Sequence, residues 1–259
     1  MSSQLHITLI QPDIVWEDKA ANLGHYENML ATISGPRHVV VVPEMFSTGF
    51  SMAPERLAEP MSGSSVLWMK AMAKQHRCIL TGSLIIEEEG NYYNRMLWVQ
   101  PDGHIIHYDK RHLFGYANED QHYTGGETRV IAQVNGWRIN LMVCYDLRFP
   151  VWARNRDAEY DVLLYVANWP EARSLAWRTL LQARAIENQS FTVGVNRVGA
   201  DAKGNNYSGD SSVFGPLGET LWQHSHTEAI HTITLEKETL TAVREKLPFL
   251  KDADKFMLL

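Results

Sequence analysis

The chain is poor in cysteine, in long apolar runs and in excess positive charge. Cys78 and Cys144 are its only thiols in 259 residues, and neither lies in a CxxC. That excludes a disulfide framework as the basis of the fold, and the chain reads as cytosolic. No apolar run approaches the roughly 20 residues needed to cross a bilayer. The first eleven residues show neither the basic nor the apolar region of a signal peptide. Net charge is −6 at pH 7, so nothing favours nucleic acid or an anionic membrane as a partner. GxSxG and HExxH are missing, which removes the serine nucleophile elbow and the zinc-peptidase helix. The eleven histidines have no spacing that demands a metal. With no repeat, low-complexity tract or Ser/Pro-rich linker, residues 1–259 read as one domain.

What is present is a series of short β-branched and aromatic runs, the mark of strands. They are "LHITLIQ" from Leu5, "HVVVVPE" from His38, "CILTGSLII" from Cys78, "NRMLWVQ" from Asn94, "INLMVC" from Ile139, "DVLLYVAN" from Asp161, "FTVGVNRVG" from Phe191 and "AIHTITL" from Ala229. Pro101-Asp102-Gly103 predicts a hairpin turn, because Pro presets φ and Gly accepts a positive one. Leu23, Tyr26, Leu30 and Ile33 keep a helical period, as do Val66, Met69 and Ala73. Ser174 to Asn188 predicts a helix with Ser174 as N-cap and with Trp177, Leu180, Leu181 and Ile186 on one side. Continuous apolar strands such as "VVVVP" imply sheets covered on both faces. Periodicity therefore leads to a layered α/β protein.

Three reactive residues stand where strands stop. Glu44 follows "VVVVP", Lys110 follows "IIHYD", and Cys144 follows "INLMV". Alone, each has an ordinary reading: a solvated carboxylate, a surface lysine, a small buried hydrophobe. Together, a carboxylate, an ammonium and a thiol are the parts of thiol-based acyl transfer. A sharp turn after Cys144, with a helix starting near Phe149 or Pro150, would expose the sulfur beside backbone N–H groups. It would also favour a thiolate, whose pKa must fall from about 8.5. A glutamate starting inside the protein suits a base serving that thiol. Spacing leaves a pairing of Cys144 with His112 or His122 open.

Glu44 in "VVVVPEMFSTGF", Lys110 in "YDKRHLF" and Cys144 in "LMVCYDLRFP" resemble, in order and setting, the Glu-Lys-Cys triad of the nitrilase superfamily, which hydrolyses carbon–nitrogen bonds. The resemblance runs on through "VLLYVANWP", "LLQARAIENQSF" and "GDSSVFGPLGE". It implies a four-layer α-β-β-α sandwich and a homodimer on which the tail, residues 248–259, packs. Glu119, in "YANEDQHYTGGE", matches the family's second glutamate, with Asp120 a weaker choice. Tyr145 matches the residue whose backbone N–H joins Lys110 in the oxyanion hole. The resemblance implies no metal and no organic cofactor.

"ANWPEARSLAWRTLLQARAIENQ", "NRVG" and "REKLPFLKDADKF" are most similar to the omega-amidase branch. That implies a small-molecule amide substrate: the monoamide of a 2-oxo dicarboxylic acid, such as 2-oxoglutaramate or 2-oxosuccinamate. Glu44 would take the Cys144 proton and later protonate the leaving ammonia, and a thioester would then be hydrolysed. The distant carboxylate calls for an arginine. Arg173 is the first choice and Arg197 the second, with Trp169, Phe114 and Tyr116 as pocket walls. Arg148, and Arg184 with Glu187, read as structural. An N-carbamoyl amino acid hydrolase or nitrilase on the same triad is the enzymatic alternative. A non-catalytic nitrilase-like scaffold is the alternative of another class, against which the intact triad counts.

Overall fold

A computed structural model describes residues 3–257. The first half of the chain forms β1 (Gln4–Gln11), α1 (Lys19–Ala31), β2 (Val39–Val41), α2 (Pro54–Leu57), α3 (Ser64–His76), β3 (Ile79–Glu88), β4 (Asn91–Val99) and β5 (Ile105–Asp109). The second half forms β6 (Ile131–Val134), β7 (Trp137–Val143), α4 (Pro150–Ala153), β8 (Val162–Val166), α5 (Ser174–Asn188), β9 (Phe191–Val195), β10 (Val198–Ala200), β11 (Asn206–Phe214), β12 (Thr220–Ser225), β13 (Ala229–Glu236) and α6 (Lys237–Lys246).

Two mixed sheets result. One has the order β13-β1-β2-β3-β4-β5, and the other β10-β11-β9-β8-β7-β6, with β12 beside β11. Alternation along the strands explains why they stack. Leu5, Ile7, Leu9, Val39 and Val41 join Ile139, Leu141, Val143, Val162 and Leu164 in one core between the sheets. The intervening Ile10, Val40 and Val42 pack instead with Tyr26 and Leu30 of α1 and Val66 and Met69 of α3. A strand buried on both faces has no polar side, which accounts for the unbroken valines. On the far side, α5 lies over β9 and β11, with Trp177 and Leu181 fully buried. Helices, sheet, sheet and helix make the expected four-layer α-β-β-α sandwich.

The hairpin at Pro101-Asp102-Gly103 joins β4 to β5, with Gly103 at φ 88. Two details of α5 differ from expectation. Arg173, not Ser174, occupies the N-cap position. Ile186 is 51% exposed, whereas Arg184 and Ala185 are buried. Nine residues of helix are about two and a half turns, so Ile186 lies opposite Trp177. The Arg184–Glu187 ion pair is present at 2.9 Å, and Arg184 also donates to the Leu147 carbonyl at 2.6 Å. Phe249 and Met257 of the tail are exposed; residues 258 and 259 lie outside the described residues.

Candidate active site

Four strand ends converge. Glu44 follows β2, Lys110 follows β5, Cys144 follows β7 and Asn168 follows β8. This is the carboxyl edge of the parallel pairings in both sheets, where α/β folds place ligands. The first sheet supplies Glu44 and Lys110, and the second supplies Cys144 and Asn168.

Local chemistry fixes each mount. β2 continues along β3 past its last paired residue: Val42 N–H donates to Thr81 O, and Met45 N–H to the Ser83 hydroxyl at 2.8 Å. Only glycine permits that approach at position 82, where a Cβ would lie 2.3 Å from Val42 Cγ2 and 2.9 Å from Val42 O. Cys144 has φ 44, a left-handed conformation that strains a residue with a side chain. It opens a 3-10 turn over Cys144–Arg148. Asp146, fully buried, holds that turn. Its carboxylate accepts from Val143 N–H at 3.0 Å, Tyr108 OH at 2.8 Å and His112 N–H at 3.1 Å, and contacts the His112 ring at 2.8 Å. Tyr108 lies on β5, so one carboxylate ties the cysteine turn to the lysine strand. His112 is thereby engaged away from the thiol and stacks on Phe149.

Glu44, Lys110 and Glu119 are all buried. Lys110 Nζ lies 2.9 Å from Glu44 Oε1, 3.0 Å from Glu119 Oε1 and 2.8 Å from Glu119 Oε2. Phe114 N–H donates to Glu119 Oε2 at 2.6 Å, and Asn168 N–H to Glu44 Oε2 at 2.8 Å. Burial alone would lower Lys110, but Glu119, Glu44 and Cys144 hold it well above its ordinary value, so it stays an ammonium. Burial pushes Glu119 up against the pull of Lys110, and the charge of Glu44 adds to the push. Asp120 is exposed beside it, which leaves Glu119 as the second glutamate of the cluster.

The thiol departs from expectation. Cys144 keeps partial exposure to the pocket, yet desolvation and then the adjoining Glu44 carboxylate, to which it hydrogen-bonds, push it well above the ordinary thiol range; Lys110 only partly opposes this. Two carboxylates share one ammonium here, so the local charge disfavours a third anion. The resting sulfur is a thiol beside a base, not a thiolate.

Above the cluster is a cavity of about 340 Å³ lined by Lys110, Cys144, Tyr145 and Asn168 at its floor. Phe114, Tyr116, Trp169 and Arg173 line it as expected, with the Arg173 guanidinium 5.3 Å from the Phe114 ring. Arg197 does not. It is fully buried, donates to Val198 O, Ala200 O and Asp13, and lies against Tyr207. Its Nε and Nη2 hold the loop behind the wall, while its buried Nη1 has no hydrogen-bond partner among the described residues. Arg148, read as structural, lines the cavity with its guanidinium 5.0 Å from the Trp169 ring, and Lys203 joins them.

Sequence reasoning also missed Asn94, Ser83, Asn168 and Asp146. Asn94 carried little signal, because it stands beside Arg95 in the polar first half of its strand. Among the described residues no group of three or more His, Cys, Asp or Glu is placed to hold a metal ion, and no helix is long and apolar enough to cross a membrane.

Comparison with known proteins agrees with this geometry. The carbon-nitrogen hydrolase family model matches residues 6–245. The omega-amidase YafV of Escherichia coli K12 is 48% identical over 256 residues, 98% of each chain. The 2-oxoglutaramate amidase of Bacillus subtilis is 32% identical over 96% of this chain and 97% of its own. The crystal structure of XC1258 from Xanthomonas campestris, a CN-hydrolase superfamily protein with an arsenic adduct in its active site, superposes with a TM-score of 0.96 at 42% identity, covering 99% of this chain and all of that one. With its strand-end cysteine, its buried lysine and two glutamates, and a family match along nearly its whole length, this chain belongs to the carbon-nitrogen hydrolase family.

Proposed function

We propose that this chain hydrolyses the distal amide of 2-oxo dicarboxylic acid monoamides, 2-oxoglutaramate and 2-oxosuccinamate, releasing ammonia. The observation that carries this reading is the distribution of charge in the cavity. The Cys144 thiol lines the cavity with Glu44 buried behind it, while Arg148, Arg173 and Lys203 line it against one carboxylate, Asp201, which is already engaged by Asn205 and Tyr207, in a protein whose net charge is −6. Such a site takes a molecule with an amide at one end and a carboxylate at the other. The printed functions of the Escherichia coli and Bacillus subtilis relatives support the same substrate class.

In the mechanism that follows, the Cys144 thiol gives its proton to Glu44 as the sulfur attacks the amide carbon. The oxyanion meets Lys110 and the Tyr145 N–H. The two Lys110 contacts with Glu119 can share one hydrogen, leaving an N–H for the cavity that Lys110 lines. Tyr145 stands in the first turn of the 3-10 segment, where N–H groups lack acceptors within the segment. Glu44 returns the proton to the departing nitrogen, then takes one from the water that hydrolyses the thioester. Glu119 keeps Lys110 and Glu44 in register. Arg148 and Arg173 bind the substrate carboxylate, and Trp169, Phe114 and Tyr116 enclose the carbon chain.

The test is ammonia release from 2-oxoglutaramate, with glutamine, an N-carbamoyl amino acid and a nitrile alongside and Cys144→Ala as control. Release from the oxo-acid amide that is lost in the control is the expected result. Release from another substrate alone would overturn the substrate assignment and keep the thiol mechanism.

One folded domain acting as a homodimer in the cytosol completes the reading. Leu175 and Ile186 on α5, Val151 on α4 and Leu217 beside Ile186 expose apolar surface on one side of the sandwich, a face suited to a second copy. Two unpaired thiols suit a reducing compartment. Light scattering that gives a monomer at micromolar concentration would overturn the dimer.

A further inference from the structure

The two carboxylates of the cluster differ in how their lone pairs are used. An ionised carboxylate offers about four acceptor sites, two on each oxygen. Those of Glu119 are all taken: Lys110 and Asn94 reach Oε1, the latter at 3.2 Å, and Lys110 and Phe114 N–H reach Oε2. Glu44 Oε1 is also filled, by Lys110 at 2.9 Å and by Asn94 Nδ2 at 2.8 Å. Glu44 Oε2 has one N–H donor, that of Asn168, which leaves a lone pair for the Cys144 thiol hydrogen-bonded to this carboxylate.

The orientation of Asn94 is dictated from behind. Ser83 Oγ accepts the Met45 N–H and so turns its own hydrogen to Asn94 Oδ1, 2.7 Å away. That acceptor bond leaves the Asn94 amide hydrogens only the two carboxylates to face. All of this is buried: Ser83 and Asn94 have no exposed surface.

We infer that Asn94 is a positioning residue that, together with Lys110, closes Oε1 of Glu44 and confines proton exchange with Cys144 to Oε2. The proton balance then runs through one atom. The S–H bond breaks and an Oε2–H bond forms as the sulfur's electron pair adds to the carbonyl carbon. As the C–N bond breaks, that proton passes to nitrogen and ammonia departs. Water then gives a proton to Oε2 while its oxygen adds to the thioester, and the proton returns to sulfur as the C–S bond breaks. A proton resting on Oε1 would be idle in every one of these steps.

The inference rests on the thiol-amidase reading of the site, but its test needs no substrate. Iodoacetamide labels Cys144, and the rate is followed against pH, with buried Cys78 as internal reference. The groups facing Glu44 are Lys110, Glu119, Cys144 and, at longer range, Tyr123 and Tyr207. Reactivity fails on the acid side once the site takes up one further proton. Asn94→Leu removes a donor to the ionised carboxylate and reopens Oε1, so the acid limb moves to higher pH by about one unit. Ser83→Ala, which frees the Asn94 amide to turn and leaves the Met45 N–H without its acceptor, moves it the same way by less. In ammonia release, kcat falls about 100-fold in Asn94→Leu while KM is held.

If Asn94→Leu does not fold, Ser83→Ala decides. An acid limb unmoved in every variant that folds would overturn the inference and make Asn94 a packing residue. Failure of the unsubstituted enzyme to hydrolyse 2-oxoglutaramate would overturn the substrate reading alone, because labelling does not depend on it.

Discussion

Lys110 places its ammonium against both oxygens of Glu119, at 3.0 and 2.8 Å, with neither side chain exposed to solvent. A buried charge that loses its partner costs far more than the pair contributes, roughly 3–5 kcal/mol. Glu119→Ala is expected to lower unfolding stability by about that amount and ammonia release by at least about 100-fold. Urea unfolding measures the first. A midpoint equal to that of the unsubstituted protein would show that Glu119 does not support Lys110.

Arg148 and Arg173 are expected to act on binding and not on chemistry. Arg148→Met and Arg173→Met each raise KM for 2-oxoglutaramate roughly 10- to 100-fold, the worth of a charge-assisted hydrogen bond, with kcat little changed. A neutral primary amide is unaffected by either change. Equal losses on charged and neutral amides would assign the two arginines to the shape of the cavity instead.

Asp146→Ala leaves the Val143 N–H, the His112 N–H and ring, and the Tyr108 hydroxyl without their shared acceptor. The left-handed Cys144 is then free to relax. Thermal unfolding and kcat should both drop, by about 3 kcal/mol or more and at least about 10-fold. Full activity in this variant would mean the turn is held by other contacts, the Arg184 bond to Leu147 O foremost.

Stability in acid should depend on Asp161. Its carboxylate, 1% exposed, meets Lys237 at 2.6 Å, Arg138 at 3.1 Å and Arg244 at 3.5 Å, and so ties α6 to the second sheet. Burial alone would raise this group, but the hydrogen bonds from Arg138 and Lys237 outweigh it and hold it below its ordinary value. A carboxylate depressed in the folded state stabilises fully above its unfolded value near 3.9, and that contribution is lost as pH falls through the lower folded value. Asp161→Asn should therefore lower the urea midpoint at pH 7 and flatten its decline below about pH 4. An unchanged midpoint at pH 7 would remove Asp161 from the account of the fold.

Much of this was legible in the chain because burial writes itself as pattern. The valines before Glu44 and the apolar run before Cys144 marked buried strands, and each reactive residue followed directly. β11 was not legible. Its Ser208, Ser211 and Ser212 are buried, but they are satisfied by Asp210, Asn196 and backbone, so a central strand reads as a polar loop. The arginines failed for another reason. Arg148 and Arg197 both follow strand ends, and whether a guanidinium meets a cavity or a carbonyl depends on which loop closes over it. The thiol's direction was missed because spacing does not reveal how many carboxylates converge on one sulfur.

The base and the nucleophile reach the site from opposite sheets, Glu44 from the first and Cys144 from the second. Residues before the 127–130 connection supply Glu44, Lys110 and Glu119, and residues after it supply Cys144, Tyr145, Asn168 and both cavity arginines. Neither half of the polypeptide holds a working set. Among the described residues the chain's only return to the first sheet is β13, which pairs with β1 along its full length, from Gln4 opposite Glu236 to Gln11 opposite Ala229. Turnover is in this sense a gauge of assembly: two segments severed at that connection would be silent apart, and catalysis would appear only as they reunite.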